Sequence, residues 1–369
     1  MAGRGKPVSV AALAQQLMAE VLRFEWPAEQ VIAGLCKRHP QPGARDRASI
    51  ADGIWAKLRA ESPPPWIVAA WESALGTSEA AQCAEVMRTA APFDLRVNTM
   101  RCRPEQAIAE LAHDDIRAHA SSVLTDALRV EGKPGLGKAR AFLNGSIEVQ
   151  DLGSQLLAKC MAPKRGQFLV DFCAGAGGKT LALGAALKNT GRIYALDVTA
   201  ARLARLKPRM TRSGLSNVWP TVIRGVSDER VKRLAQKADG VLVDAPCSGL
   251  GTLRRNPDLK WRMTPERIAM LTRQQGEILV AAARCVKPGG RLVYATCSPL
   301  AAETVDIVDG FLNAHPEFRR VSTADVLERQ RIALPPDWRA YTAQGDLLLW
   351  PHRTGTDGFY AAVMTRGLL

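Results

Sequence analysis

The chain has 369 residues, 47% of them apolar, which suffices for one large domain with one or two smaller ones and excludes wholesale disorder. Lys and Arg number 50 against 36 Asp and Glu, a formal net charge of +14 that points to a polyanionic partner, nucleic acid first. Eight cysteines at irregular spacing, with no CxxC pair, exclude a disulfide framework and give no support to structural zinc, so reduced thiols, a cytoplasmic location and no metal are expected.

Residues 1–90 read as a helical region. The chain starts with a short basic segment, and Gln15, Gln16 and Glu20 interrupt the apolar pattern after it, so an amphipathic helix is expected rather than a signal peptide. Val10, Leu13, Leu17, Val21 and Phe24 recur at three- and four-residue steps, which is one buried helical stripe. Val31, Ile32 and Leu35 continue in a second helix, and Ile50, Ile54 and Leu58 mark a third, led by Arg45-Asp46-Arg47. The run Pro63-Pro64-Pro65 breaks the pattern. Arg45 and Arg47 are either RNA contacts or solvated charge.

Residues 91–150 suggest a small α+β module for RNA. Leu95-Arg96-Val97-Asn98 reads as a strand and residues 104–112 as a helix. Short strands are expected at Val123-Leu124 and Ala127-Leu128-Arg129-Val130, around a turn at Thr125-Asp126, and Ile147-Glu148-Val149-Gln150 closes the segment. Lys133, Lys138 and Arg140 lie in or just after a Gly-rich loop over residues 132–137, which could track a phosphate backbone or be a plain surface loop.

From 151 to 369 strand and helix patterns alternate. Strands are expected at 168–171, 192–197, near Val222, at 240–244 and at 291–296, with helices over 179–188, 200–213 and 265–286. That alternation implies a parallel sheet with helices on both faces. No segment is apolar for long enough to span a membrane, and a monomer is expected.

The first strand of this region runs into Asp171-Phe172-Cys173-Ala174-Gly175-Ala176-Gly177-Gly178-Lys179-Thr180. Small residues let the backbone approach a ligand, and a helix N-terminus follows. A phosphate loop would need Gly at Cys173, and a dinucleotide fingerprint would need Gly at Thr180, so neither motif is present. Asp197 ends the second strand, where an acid can bind ribose hydroxyls. A ribose acid without a diphosphate loop suits a nucleoside such as S-adenosyl-L-methionine. The expected cofactor residues are Cys173, Ala174, Gly175, Ala176, Gly177, Gly178, Lys179, Asp197 and Asp244.

Two further strands run into Asp244-Ala245-Pro246-Cys247-Ser248-Gly249 and Thr296-Cys297-Ser298-Pro299, so both cysteines project towards the crevice at the carboxyl ends. Two thiols suit methylation of a pyrimidine. Carbon 5 of cytosine is a poor nucleophile; a thiolate adding to carbon 6 makes an enamine, after which the carbon 5 proton must leave and the thiolate be expelled. Asp244 is placed to hydrogen-bond the ring.

These segments, with Arg254-Arg255-Asn256-Pro257-Asp258-Leu259-Lys260-Trp261, Tyr294-Ala295-Thr296-Cys297-Ser298 and residues 350–359, resemble the Sun/Fmu family of RNA (cytosine-5) methyltransferases, the small-subunit methyltransferase B type. The likeness covers about 148 to the end and reaches back weakly to Arg45-Asp46-Arg47 and Leu95-Arg96-Val97-Asn98. It implies a class I, Rossmann-like methyltransferase sheet and small-subunit ribosomal RNA as substrate. It makes Cys297 the nucleophile and Cys247 the residue that aids release. The Gly-rich turn differs from the family's usual Ala-Pro-Gly-Gly-Lys at its first two positions. The family's usual acid after the third strand is absent from Ile223-Arg224-Gly225-Val226-Ser227-Asp228 or displaced to Asp228.

Lys179, Arg254, Arg255 and Lys260 are expected at RNA, with Trp261 stacking on a base; the alternative is a loop packed by its Trp. His352 is expected to be structural or an RNA contact rather than catalytic. Other readings are the same chemistry on tRNA, or a non-catalytic RNA-binding ribosome-assembly factor.

Overall fold

The computed structural model describes residues 9–39 and 42–368, with Leu35 and Cys36 described by their backbone alone. The basic start of the chain and the Leu35 side chain of the second helical stripe lie outside the described residues. Among the described residues, no helix is long and apolar enough to cross a membrane.

Five helices open the chain: Val10–Val21, Ala28–Arg38, Ala44–Ala60, Pro65–Leu75 and Thr77–Met87. The first three bury most of the expected stripes, Leu13, Leu17 and Val21 with Ile32, Ile50, Ile54 and Leu58, but Val10 at the start of the first is 43% exposed. The proline run also begins a helix, because Pro65 takes the first helical position, where its missing N–H costs nothing. Trp71 and Met87 of the last two helices pack with Leu250, Leu253 and Trp350, which fixes the helical region to the C-terminal part of the chain.

A four-stranded antiparallel sheet comes next, built from β1 (Phe93–Val97), β2 (Ala118–Ala120), β3 (Ala127–Val130) and β4 (Ile147–Val149) in the order β2-β3-β1-β4. Helix Pro104–His113 covers one face through Ala107 and Leu111. The strand expected at Val123-Leu124 is a turn instead. The Ser121 hydroxyl accepts from the amides of Val123 and Leu124, so those amides bend the chain rather than join a ladder. The true partner of β3 lies upstream, at β2.

The second sheet holds β5 (Phe168–Asp171), β6 (Arg192–Asp197), β7 (Val218–Val222), β8 (Ala238–Asp244), β9 (Val286–Thr296), β10 (Phe318–Val321), β11 (Leu347–Leu349) and β12 (Phe359–Arg366). The order is β10-β12-β9-β8-β5-β6-β7, with β11 also paired to β12. The parallel expectation holds for β5 to β9, but the sheet is mixed, because β12 runs antiparallel to β9 and carries β10 and β11 antiparallel to itself. Separate apolar cores cover the two faces, one around Leu156, Leu183 and Leu206, the other around Leu279, Val243 and Tyr360. The fold is thus α/β and Rossmann-like. Strand β5 has β6 on one side and β8 on the other, so successive connections leave in opposite directions and open a crevice at the carboxyl ends.

Candidate active site

The crevice is a cavity of about 860 Å³. The glycine turn after β5, Asp197 after β6, Gly225 and Val226 after β7, Asp244 and Cys247 after β8, and Cys297 after β9 all line it. The turn is shaped by its glycines. Gly177 has φ of +84°, and a Cβ there would stand 2.2 Å from Leu206 Cδ1. Arg209, on helix Ala200–Ser213, donates to the carbonyl of Ala176 at 2.5 Å and to Glu148 of β4 at 3.0 Å, tying the turn to the smaller sheet. Asp197 is nearly buried, and each of its oxygens accepts one backbone amide, from Gly175 at 2.8 Å and from Thr199 at 2.7 Å. Asp171 lies beneath, fully buried, accepting from the Thr180 hydroxyl at 2.6 Å. Burial, opposed by that bond and reinforced by Asp244, pushes its carboxyl up to about 7.

Lys179 points inward. Its ammonium is 2.7 Å from Asp244 Oδ2. Burial works against the charge, but the attraction of Asp244, joined by that of Cys297, outweighs it and holds the ammonium above its ordinary pKa. Lys179, expected at RNA, has only 10% of its side chain exposed, and it lines the cavity paired with Asp244 rather than standing on the outer surface.

Strands β8 and β9 are parallel neighbours, with Asp244 opposite Ala295, and this register brings the loops beyond them together. The sulfurs of Cys247 and Cys297 are 3.3 Å apart. The hydrogen bond to Cys297, followed by burial, pushes the Cys247 thiol well above its ordinary pKa. Beneath the pair lies a group that the sequence did not single out. Glu303 is fully buried and accepts from the Ser248 amide at 2.8 Å, the Ser248 hydroxyl at 2.5 Å and Gln275 Nε2 at 3.0 Å. Gln275 also donates to the Pro246 carbonyl at 2.9 Å, so one carboxylate fixes the backbone on both sides of Cys247. Gly251 donates to the Cys297 carbonyl at 2.9 Å, and a Cβ on Gly251 would lie 2.1 Å from the Gly358 carbonyl oxygen, so the loops after both thiols and the start of β12 meet at backbone contact. A buried acid in the turn after β9 carries no local pattern in the sequence, and only the fold reveals its partners.

The loop after Cys247 differs from expectation. Arg254 is buried and donates to the Ala90 carbonyl at 2.7 Å. Arg255 bridges Asp357 at 2.5 Å and Asp151 at 2.7 Å; burial opposes its charge, and these carboxylates outweigh it and raise its pKa. Lys260 is buried, donates to the Glu61 carbonyl, and is pushed down to about 8 by burial. Trp261 stacks on Phe24 at 4.7 Å. These four side chains hold the helical region and C-terminal segment to the sheet, which corrects their expected role at RNA. Asp228 is corrected too: it caps helix Glu229–Lys232, accepting from the amides of Arg224 and Arg230, and does not line the main cavity. His352 is buried beside Glu79, and burial lowers its pKa, which makes it structural. Arg45, Lys133, Lys138 and Arg140 are exposed.

The open mixed sheet with its parallel β5–β9 core, the glycine turn and the acid that ends the next strand are those of an S-adenosyl-L-methionine-dependent methyltransferase. Residues 158–365 match the family described as 16S rRNA methyltransferase RsmB/F, and residues 63–135 match the ferredoxin-like domain of RsmF/B-like methyltransferases. The chain belongs to the RsmB/F family, and its class is that of S-adenosyl-L-methionine-dependent RNA methyltransferases. It is 30% identical over 336 residues to a probable ribosomal RNA small subunit methyltransferase B of Bacillus subtilis, covering 91% of this chain and 73% of the relative. It is 34% identical over 307 residues to ribosomal RNA small subunit methyltransferase B of Sodalis glossinidius, covering 82% of this chain and 65% of the relative. Among solved structures, the protein PH0851 superposes with a TM-score of 0.76 at 31% identity, covering 96% of this chain and 82% of that one. NSun6 from Pyrococcus horikoshii, solved with SFG, shares the fold at 20% identity with a TM-score of 0.72, over 82% of this chain and 98% of that one.

Proposed function

We propose that this protein methylates carbon 5 of a cytosine in small-subunit ribosomal RNA, with Cys297 as nucleophile and Cys247 aiding release. The observation that carries the reading is the thiol pair, 3.3 Å apart and both lining the cofactor cavity, with the hydrogen bond between them and burial both raising the Cys247 pKa. Two thiols this close do not both ionise easily, so the pair shares one proton and one thiolate serves as the attacking group.

The cavity suits the methyl donor. Gly175 and Gly178 both line it, and a Cβ on either would meet nothing within 4 Å, so side chains there would fill space that a ligand needs. Asp197, pre-oriented by two backbone amides, is the acceptor for ribose hydroxyls, and Gly225 and Val226 stand where the adenine side would rest. When bound, the cofactor supplies an electrophilic methyl group.

The remaining demands fall on the chain. Cys297 adds to carbon 6 of the cytosine, and the displaced electron pair makes carbon 5 nucleophilic. Asp244, held by Lys179, accepts from the exocyclic amine and fixes the ring over the thiol. After transfer, Cys247, its own proton having passed to solvent, takes the carbon 5 proton; the pair from that C–H bond restores the carbon 5–carbon 6 double bond, and the Cys297–carbon 6 bond breaks with its pair on sulfur. Cys247 is the titratable group beside the sulfur that is expelled. Asp171 and Glu303 stay behind the site and position it.

Nucleoside mass spectrometry tests the reading. Ribosomal small subunits and tRNA from a strain lacking this enzyme are each incubated with the purified protein and cofactor. Appearance of 5-methylcytidine in ribosomal RNA is expected. A methyl on another atom, or 5-methylcytidine in tRNA alone, contradicts the chemistry or the substrate respectively.

A further inference from the structure

A second groove, of about 530 Å³, opens from the outer side of Cys247. It is on the scale of a small-ligand site, roughly 300–1,000 Å³. Cys247, Gln274 and Glu277 line both it and the cofactor cavity, so the two spaces meet at the thiol. The outer wall is helix Pro265–Ala283, whose residues Arg267, Met270, Leu271 and Gln274 follow three- and four-residue steps and share one face. Met270 is 70% exposed, an unusual place for a large apolar side chain. Arg267 and Arg273 are exposed, and neither is in an ion pair with a carboxylate among the described residues. Arg262 closes the near end, already paired with Asp258 at 3.2 Å.

We propose that this groove holds the nucleotide next to the target cytosine in a single strand of RNA, with Met270 and Leu271 against the base and Arg267 and Arg273 on the phosphates. The inference rests on the RNA-methylation reading and extends it. Three things single out RNA. The groove is continuous with the nucleophile's partner thiol, so a strand whose cytosine enters the cavity must leave along this helix or opposite to it. Its exposed cations are guanidiniums, which match phosphate: Arg273, and Arg267, one of whose nitrogens donates to the Arg262 carbonyl at 2.8 Å; the Glu277 carboxylate shares the lining on the side of the cofactor cavity. A polarizable thioether next to them suits the flat face of a base. The cations nearest Cys247 in sequence, Arg254, Arg255 and Lys260, are spent on protein partners, which leaves this helix as the cationic wall beside the thiol.

The test uses fluorescein-labelled oligocytidylate and the full chain, with affinity read by fluorescence anisotropy across a salt series. The R267A/R273A double variant is expected to bind roughly tenfold or more weakly. Its slope of log affinity on log salt should flatten by about 1.4, which is about 0.7 for each lost single-strand phosphate contact. M270A should weaken binding a few-fold and leave the slope unchanged. Cofactor affinity, measured by calorimetry, should stay at the wild-type value in both, and R267Q/R273Q, which keeps side-chain length, should repeat the result of the alanine pair. An unchanged slope and affinity in both double variants would overturn the groove while leaving the methylation reading intact. Absence of salt-sensitive binding by the wild type would overturn that reading, and the groove with it.

Discussion

Removing the Glu303 carboxylate should loosen the cysteine loop without touching the cofactor. In Glu303→Ala the amide of Ser248 and Nε2 of Gln275 lose their shared acceptor, while the Ser248 hydroxyl can turn to Ser298 Oγ, 3.3 Å away. Two buried donors are then orphaned, at about 1–3 kcal/mol each, so the loss is about 2–6 kcal/mol. Against a typical stability of about 5–15 kcal/mol this leaves a folded but weakened protein. The larger effect falls on chemistry. Gln275 and Ser248 flank Cys247, and a loop displaced by about 1 Å costs on the order of a hundredfold in rate. Glu303 does not line the cavity, so cofactor affinity should persist. Glu303→Gln keeps the volume and one accepting oxygen but turns an amide N–H₂ towards a donor, and should fall between wild type and Ala. Urea midpoints, calorimetry with cofactor and single-turnover methylation measure the three quantities. A Glu303→Ala protein within about 1 kcal/mol of wild type, with a methylation rate within about twofold, would refute the reasoning.

Asp197→Ala should weaken cofactor binding by about 1.5–3 kcal/mol, roughly ten- to over a hundredfold by calorimetry, because the ribose loses a charged acceptor and the amides of Gly175 and Thr199 lose their anchor. Asp171 gives a pH signature: its carboxyl rises from 3.8 to about 7, chiefly through burial, so between those values the folded chain holds a proton that the unfolded chain has released. Its contribution to stability therefore declines as pH rises through that window. Asp171→Asn should flatten the decline, seen as a smaller difference between urea midpoints at about pH 5 and about pH 7.5 than in the wild type.

The catalytic sheet was largely legible in the residues. Strands 168–171 and 192–197 are continuous apolar runs bounded by turn signals, and both are found with those bounds. Leu203 and Leu206 mark the buried side of a helix that Gly214 ends in the left-handed conformation with φ of +76°. The antiparallel edge was not legible, because β10 and β11 are short and gain their identity only by pairing with β12. For the site, strand ends were enough to bring Cys247, Cys297, Asp197 and Asp244 to one crevice. The fate of Arg254, Arg255 and Lys260 was not legible, since a cation beside Trp reads alike whether it faces phosphate or a buried carbonyl. Their partners, Ala90, Asp151, Asp357 and Glu61, are far away in sequence. The same holds for Glu303, whose bonds to Ser248 and Gln275 join three separate segments.

Two cysteines with different tasks carry the proposed chemistry, and trapping the covalent intermediate separates them. With RNA and cofactor present, Cys247→Ala should still attack and accept the methyl group but release slowly, and so accumulate a protein–RNA adduct through Cys297. That adduct should run slowly on a denaturing gel and vanish on nuclease digestion. Cys297→Ala should form neither adduct nor product. An adduct that builds up in Cys297→Ala and requires Cys247 would reverse the roles, and full methylation by either variant would contradict the two-thiol mechanism.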